Sequence, residues 1–207
     1  MEIHVGTSGW SYPSWRPGFY PGGTGPADFL AFYSSRFDTV ELNSTGYRLP
    51  ANEQFERWAE AVPAGFRFAP KLSLTSPGRA AAALARFRRL GSRLGPVRVV
   101  VEQPRDDELL ARLLEAAEDA VLALDFRHAS WAGVEGVEGV VRVNDLAARP
   151  FRYIRLREPP HTDADLVALA ATLEEPAFVY FRHEDAPTAP AYAARLRELL
   201  SDVTPPG

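Results

Sequence analysis

The sequence predicts a compact, single-domain, TIM-like (β/α)8 barrel of the α/β class. Short β-rich segments alternate with amphipathic segments along the 207 residues, and this alternation is typical of a parallel sheet. Eight such strands favour a closed barrel, although the chain lies near the lower limit of about 200 residues for that fold. An open doubly wound sheet is the alternative, but the turn after the first strand lacks the expected G-x-G-x-x-G pattern.

Eight segments are predicted as strands because β-branched and aromatic residues are frequent in them. In chain order they are 3–8, 39–43, 66–73, 97–103, 120–128, 140–145, 151–158 and 177–185. The segments between them mostly have apolar residues at helical spacing. The predicted helices are 26–37, 51–62, 78–95, 106–118, 163–174 and 189–200.

Several element boundaries have local signals. Gly95-Pro96 ends the third helix, and acidic residues in the first turn of 106–118 favour the dipole of the fourth. The segment 130–139 contains three glycines and allows at most one helical turn, so the sixth helix of the barrel is short or missing. The domain is expected to span 1–203, with a frayed tail at 204–207.

Composition narrows the functional classes. The net charge is −4, so no overall basic field attracts nucleic acid, and no apolar run approaches the ~18 residues of a membrane span. The absence of cysteine excludes disulfides and thiolate metal sites and fits a cytoplasmic location. Lys71 is the one lysine among 23 basic residues, which suggests a position where an ammonium is needed.

Polar side chains gather where the strands end. In the stretch TVELNS, alternation places Val40 and Leu42 toward the helices and turns Glu41 and Asn43 into the barrel. The same alternation turns inward a further set of charged residues: Lys71, Asp125, Arg127, Arg155 and Arg182. Active sites of such barrels form at the C-terminal mouth, so we expect the functional site there.

These residue types indicate acid–base chemistry on an anion. We predict Lys71, Glu41 and Asp125 as catalytic groups that move protons, with a purely structural ion-pair network as the alternative. Asn43 orients a substrate oxygen or caps the following turn.

Further residues are predicted to bind the substrate. Arg127, Arg155 and Arg182 are suited to clamp a phosphate or a carboxylate. Trp10, Tyr12 and Trp131 follow strands at the mouth, where they stack on a sugar ring or a base, or pack as a lid.

No metal or other cofactor is predicted. The mouth offers only His128 and His183, which are too few for a histidine-rich metal cluster. One Mg²⁺ or Mn²⁺ held by Glu41, Glu102 or Asp145 stays open, because hard cations prefer oxygen ligands.

Long motifs resemble a known family. The segments IHVGTSGWSYPSWRPGFYP, FDTVELNSTGYRLP, GFRFAPKLSLTSP, RLGPV, DFRHASW and YIRLR, in this order, are similar to the domain of unknown function 72 family. The resemblance implies a TIM-barrel-like fold and leaves the biochemical activity open. The chain departs from the family pattern at Gly46, which replaces an aromatic residue, and at Asp125, which replaces a glutamate. It also departs in the turn 102–105 and at the ends of the last two strands, at Arg157, Glu158, Arg182 and His183. It is also shorter than most members after strand five, which implies a reduced mouth.

Three functional hypotheses remain. The first is an enzyme with hydrolase, lyase or isomerase-type chemistry on a small anionic substrate that carries a phosphate or carboxylate group, with a sugar-like body as one option. The second is a nucleic-acid-processing enzyme, which the acidic net charge does not favour. The third is a non-catalytic binding or scaffold barrel. The sequence leaves the oligomeric state open.

Overall fold

Strands and helices alternate along the chain in this computed structural model, which describes residues 3–132, 141–148 and 150–203. The strands are β1 Ile3–Ser8, β2 Thr39–Leu42, β3 Arg67–Ser73, β4 Val97–Val101, β5 Leu122–Phe126, β6 Val141–Arg142, β7 Arg152–Leu156 and β8 Ala177–Phe181. The helices are α1 Phe29–Ser34, α2 Asn52–Glu60, α3 Pro77–Phe87, α4 Asp107–Ala117, α5 Asp163–Thr172 and α6 Thr188–Val203. The predicted tail at 204–207 lies outside the described residues.

The eight strands form one parallel sheet in the order β6-β5-β4-β3-β2-β1-β8-β7. This order is that of a barrel that closes between β6 and β7. The prediction of a TIM-like α/β barrel is therefore confirmed.

The connections after β5 and β6 differ from the rest of the barrel. In their described residues neither contains an α-helix, and a single 3-10 turn at Ala129–Trp131 follows β5. The remainder of the weak sixth helix, at 133–140, lies outside the described residues. The third helix is also shorter than predicted, because Gly91 has a φ of 55° and the segment Arg88–Arg93 forms 3-10 turns instead.

Asn144 closes the barrel where β6 is only two residues long. Its backbone N–H donates to the Tyr153 carbonyl over 2.8 Å. Its side-chain amide pairs with the backbone of Arg155, donating to the carbonyl over 3.2 Å and accepting from the N–H over 2.6 Å. The backbone of Asn144 has a φ of 66°, a conformation that asparagine tolerates better than most residues. One side chain thus replaces a stretch of strand pairing.

The sheet packs against two apolar clusters, one outside the barrel and one inside it. The larger one lies between strands and helices and includes Phe55, Phe68 and Leu124. The smaller cluster lies inside the barrel and includes Ala69, Tyr153 and Tyr180. The charged groups inside the barrel lie directly next to this smaller cluster, since the Tyr153 hydroxyl donates to Glu41. Among the described residues, no helix is long and apolar enough to cross a membrane.

Replacing Asn144 with glycine tests how the barrel closes. Glycine tolerates the positive φ but leaves the N–H and carbonyl of Arg155 without partners. We expect the free energy of unfolding, measured by urea titration, to fall by about 1–3 kcal/mol. The matched control is Asn52→Ala, because the Asn52 side-chain oxygen is buried without a hydrogen bond. Equal losses in the two variants would contradict the closing role of Asn144.

Candidate active site

Glu41 lies at the C-terminal end of β2 and is fully buried inside the barrel. Its Oε1 accepts hydrogen bonds from Arg98 Nη1 over 3.1 Å and from the Tyr153 hydroxyl over 2.9 Å. Its Oε2 accepts from Arg155 Nε over 2.8 Å. Glu41 thus points inward, and both of its oxygens are already paired.

Asp125 has a similar environment at the end of β5. Its Oδ2 accepts from Arg98 Nη2 over 2.6 Å, from Arg157 Nη2 over 2.7 Å and from Arg127 Nη2 over 3.0 Å. Its Oδ1 lies 3.0 Å from Arg127 Nε. Three guanidinium groups therefore surround one carboxylate.

Glu41, Asp125 and the arginines Arg98, Arg127, Arg155 and Arg157 form one connected set, which we call the mouth network. Arg98 is its centre, since it pairs with both carboxylates. Sequence reasoning missed Arg98 as a site residue, although it is the one polar residue in the otherwise apolar strand VRVVV. A charged residue within a buried parallel strand is unusual and is the signal that would have identified it.

The arginines keep both carboxylates ionised. Burial raises the pKa of Glu41, but the charges of Arg98 and Arg155 and their hydrogen bonds outweigh burial, so the pKa falls below its ordinary value. The pKa of Asp125 is lowered in the same way, with burial opposed by Arg98 and Arg157. Ionised carboxylates whose oxygens are paired are poor proton donors. The catalytic role predicted for Glu41 and Asp125 stays a prediction.

Positive charge exceeds negative charge in the mouth network, which holds four arginines and two carboxylates. Burial lowers the pKa of the Arg157 guanidinium, and the charges of Arg127, Arg98 and Arg155 lower it further against the opposing effect of Asp125. The Arg157 Nε is buried without a hydrogen-bond partner. A bound anion would relieve this excess of positive charge.

Lys71 adds a further cation beside the network. Its side chain is buried, and its Nζ lies 4.0 Å from the centroid of the Tyr47 ring. Among the described residues, no carboxylate oxygen lies within ion-pair distance of this ammonium. The lysine stem lies across Gly46, where an added Cβ would be 2.7–2.9 Å from its methylene carbons. The glycine that departs from the family pattern therefore makes room for Lys71.

A cleft of about 920 Å³ adjoins the mouth network, and we call it the aromatic cleft. Its lining includes Trp10, Tyr12, Asn43, Tyr47, Trp58 and His183. Leu42 and Asn43, which directly follow Glu41, line this cleft, and Tyr47 in its wall contacts Lys71, so the cleft and the network are neighbours. The volume is that of a small-molecule site.

His183 lies at the edge of the aromatic cleft. Its ring stacks on Tyr12 with centroids 4.5 Å apart, and its Nδ1 lies 3.4 Å from Ser8 Oγ. Burial, followed by the charges of Arg182 and Arg155, lowers the pKa of His183. The imidazole is therefore neutral at neutral pH and adds no charge to the mouth.

Two residues that were predicted to bind the substrate, Arg182 and Trp131, do not line the aromatic cleft. Arg182 is exposed on the rim, where Nη1 donates to the Arg157 carbonyl over 3.4 Å. Trp131 is 1% exposed, stacks on Phe126 and donates its indole N–H to the Gln103 carbonyl over 2.9 Å. Trp131 thus packs the loop after β5 and does not line the aromatic cleft. The described residues contain no group of three or more acidic or histidine side chains placed to hold a metal ion.

Comparison with known proteins identifies the family of this chain. A family model described as "Protein of unknown function DUF72" matches residues 4–206. The chain belongs to this family. A comparison with curated protein sequences found no match.

Solved structures of DUF72 proteins have the same fold. One from Enterococcus faecalis V583 is 16% identical, with a TM-score of 0.76 over 96% of this chain and 95% of that one. One from Thermotoga maritima MSB8 is 22% identical, with a TM-score of 0.70 over 97% of this chain and 100% of that one. The family and its fold are thus established. The cytoplasmic location and the roles of the site residues stay predictions.

Replacing Glu41 with glutamine removes the charge that pairs with Arg98 and Arg155 but keeps the size of the side chain. We expect the free energy of unfolding at pH 7 to fall by about 3–5 kcal/mol, the cost of breaking a buried ion pair from one side. The folded-state pKa of Glu41 is depressed, so its contribution is present above the ordinary pKa of 4.5 and is lost as the pH falls through the folded-state value. The variant should therefore lose less stability than the wild type on acidification below pH 5.

Urea unfolding at a series of pH values measures both effects. Glu108→Gln is the matched control, because Glu108 pairs with Arg112 on the exposed face of α4. That change should cost less than about 1 kcal/mol. Equal stability of Glu41→Gln and the control at pH 7 would show that the mouth network does not stabilise the barrel.

Proposed function

We propose that the chain is an enzyme that acts on a small anionic substrate, bearing a phosphate or carboxylate group on a sugar-like or similarly compact body, at the C-terminal mouth. The observation that carries this proposal is the excess of positive charge at the mouth, where Arg98, Arg155 and Lys71 are buried, Arg157 is half-buried and Arg127 is more exposed. Four arginines and Lys71 lie against two carboxylates, and Lys71 has no acidic partner among the described residues.

Buried cations are costly unless something compensates them. Glu41 and Asp125 compensate two of the three buried positive charges, which belong to Arg98, Arg155 and Lys71, and both carboxylates have their oxygens occupied. A bound phosphate or carboxylate supplies the missing negative charge and accepts hydrogen bonds from guanidinium groups. The unpaired Nε of Arg157 is one donor that such a ligand can use.

The aromatic cleft favours a ligand larger than a bare anion. Its volume of about 920 Å³ exceeds what inorganic phosphate fills, and its walls are largely aromatic and aliphatic. Trp10 and Tyr47 offer aromatic surface against which a sugar or another planar group packs. We therefore expect the anionic group to bind the mouth network and the body of the substrate to lie in the cleft.

The burial of the cations disfavours the nucleic-acid alternative. Arg98, Arg155 and Lys71 are all buried, and a duplex backbone meets exposed side chains instead. A small ligand can enter the mouth and contact them. A non-catalytic binding barrel would contain the same anion site, so it differs from the proposed enzyme in turnover and not in binding.

Inorganic phosphate should raise the melting temperature of the wild type. At 100 times its dissociation constant a ligand adds about 2.7 kcal/mol, which corresponds to a shift of about 5–10 °C in a domain of this size. Arg157→Gln and Lys71→Met should reduce this shift by more than half, because each removes a cation from the mouth. Differential scanning fluorimetry at constant ionic strength measures the shift.

The matched control is Arg112→Gln, which removes an arginine from the exposed face of α4. It should leave the phosphate shift unchanged. If chloride at equal ionic strength stabilises the wild type as much as phosphate does, or if all three variants respond like the wild type, the anion site is not at the mouth.

A further inference from the structure

We propose that Tyr47, held by Lys71, is the proton-transfer residue of this site. The inference rests on the proposed function, because it assigns a chemical step to the substrate that the mouth binds. Sequence reasoning selected Glu41 and Asp125, together with Lys71, for this step. Those carboxylates are paired with arginines through both oxygens, whereas the Tyr47 side chain is open to the aromatic cleft.

The position of Tyr47 suits contact with a ligand. It directly follows the 3-10 turn Asn43–Gly46, which leaves β2 at the mouth. Its side chain is 77% exposed, an unusual exposure for a large aromatic residue, and it forms part of the cleft wall. The described contacts of the ring are with Lys71, so the phenol is presented to the cleft and not packed into the core.

Lys71 is fixed beneath this phenol. The Lys71 backbone N–H donates to Thr45 Oγ1 over 3.1 Å, and Thr45 lies in the turn that presents Tyr47. The lysine stem crosses Gly46, which has no Cβ to displace it. Strand β3 and the turn after β2 are therefore tied together, and the ammonium is held against the ring at 4.0 Å.

The charges around Tyr47 come from three strands. Lys71 on β3, as hydrogen-bond partner and as positive charge, lowers the pKa of the Tyr47 phenol against the opposing effect of burial, and Arg155 on β7 and Arg98 on β4 make smaller contributions in the same direction as Lys71. Lys71, Arg155 and Arg98 therefore favour the phenolate form of Tyr47.

Other tyrosines respond in the opposite direction. Burial raises the pKa of Tyr12 to about 12. Burial also raises the pKa values of four tyrosines that lie deeper in the protein, namely Tyr20, Tyr33, Tyr153 and Tyr180. Tyr47 is thus set apart from these five by both its exposure and its charged neighbours.

The chemistry follows from this arrangement. The Tyr47 phenolate takes a proton from a C–H or O–H group of the bound anion, and the electron pair of that bond stays on the substrate. The resulting negative charge lies beside the arginines, and the phenol then returns the proton to the same or a neighbouring atom. The substrate class is a small carboxylate or phosphate ester with an acidic hydrogen near its anionic group. The step needs no oxidant or second substrate.

Spectrophotometric titration of the phenolate tests the assignment. In the wild type we expect one tyrosine to ionise below the ordinary pKa of 10, before the others. Tyr47→Phe should abolish this first step, and Lys71→Met, which keeps the stem over Gly46 but removes the charge, should shift it to higher pH. Tyr192→Phe, on α6, is the matched control and should leave the first step in place.

Nitration by tetranitromethane, which reacts with phenolates, tests contact with the ligand. We expect Tyr47 to be the first tyrosine nitrated, as located by peptide mass spectrometry, and saturating inorganic phosphate to slow that nitration at least fivefold. Arg112→Gln should be nitrated and protected like the wild type.

The outcomes separate the two proposals. If Tyr47 ionises with the other tyrosines, or if phosphate stabilises the protein without protecting Tyr47, the proton-transfer assignment is wrong and the anion site stands. If Tyr47 ionises first but neither phosphate nor any tested anion stabilises the protein, the reactive phenol stands and the anionic substrate is wrong.

Discussion

Arg98 lies between the two carboxylates that are buried at the barrel mouth. Its guanidinium is 3.1 Å from Glu41 Oε1 and 2.6 Å from Asp125 Oδ2. The three residues come from β2, β4 and β5, so these two ion pairs join strands across the interior. An ion removed from water is stable there only while it is paired, and each carboxylate therefore constrains the position of the arginines around it.

This pairing determines which groups at the mouth remain available to bind a ligand. The carboxylates are fully engaged, whereas Lys71 has no acidic partner among the described residues and Arg157 has an unpaired Nε. The groups at the mouth that remain available to bind a ligand are therefore positively charged. The aromatic cleft beside it supplies apolar surface, and Tyr47 supplies a group that can exchange a proton. In the proposed function, binding and proton transfer are therefore assigned to residues other than the two carboxylates, which hold the arginines in place.

Local periodicity was enough to predict the barrel and much of its mouth. Side chains alternate along a strand, so the inward orientation of Glu41, Lys71 and Asp125 followed from the sequence. The central position of Arg98 did not, because a long side chain at the second residue of β4 reaches partners on two other strands, and those partners depend on the register and closure of the barrel. Tyr47 was missed because exposure of a loop residue is not encoded in any repeat.

The misplacements have similar physical causes. Trp131 was expected near a ligand because it follows a strand at the mouth, but the short loop after β5 folds it onto Phe126. Strand six was predicted at 140–145 but β6 has only two residues, because the Asn144 amide pairs with the backbone of Arg155 there, a contact between strands that local periodicity does not reveal.

A crystal structure of the wild type grown or soaked with tungstate, an oxyanion that is visible by anomalous scattering, would test the central claim most directly. The account predicts an anomalous peak within hydrogen-bonding distance of Lys71 Nζ and of the Arg155 or Arg157 guanidinium, with Glu41 and Asp125 still paired with Arg98. An empty mouth in crystals that bind tungstate elsewhere would contradict it and would show that the buried positive charge serves the fold alone.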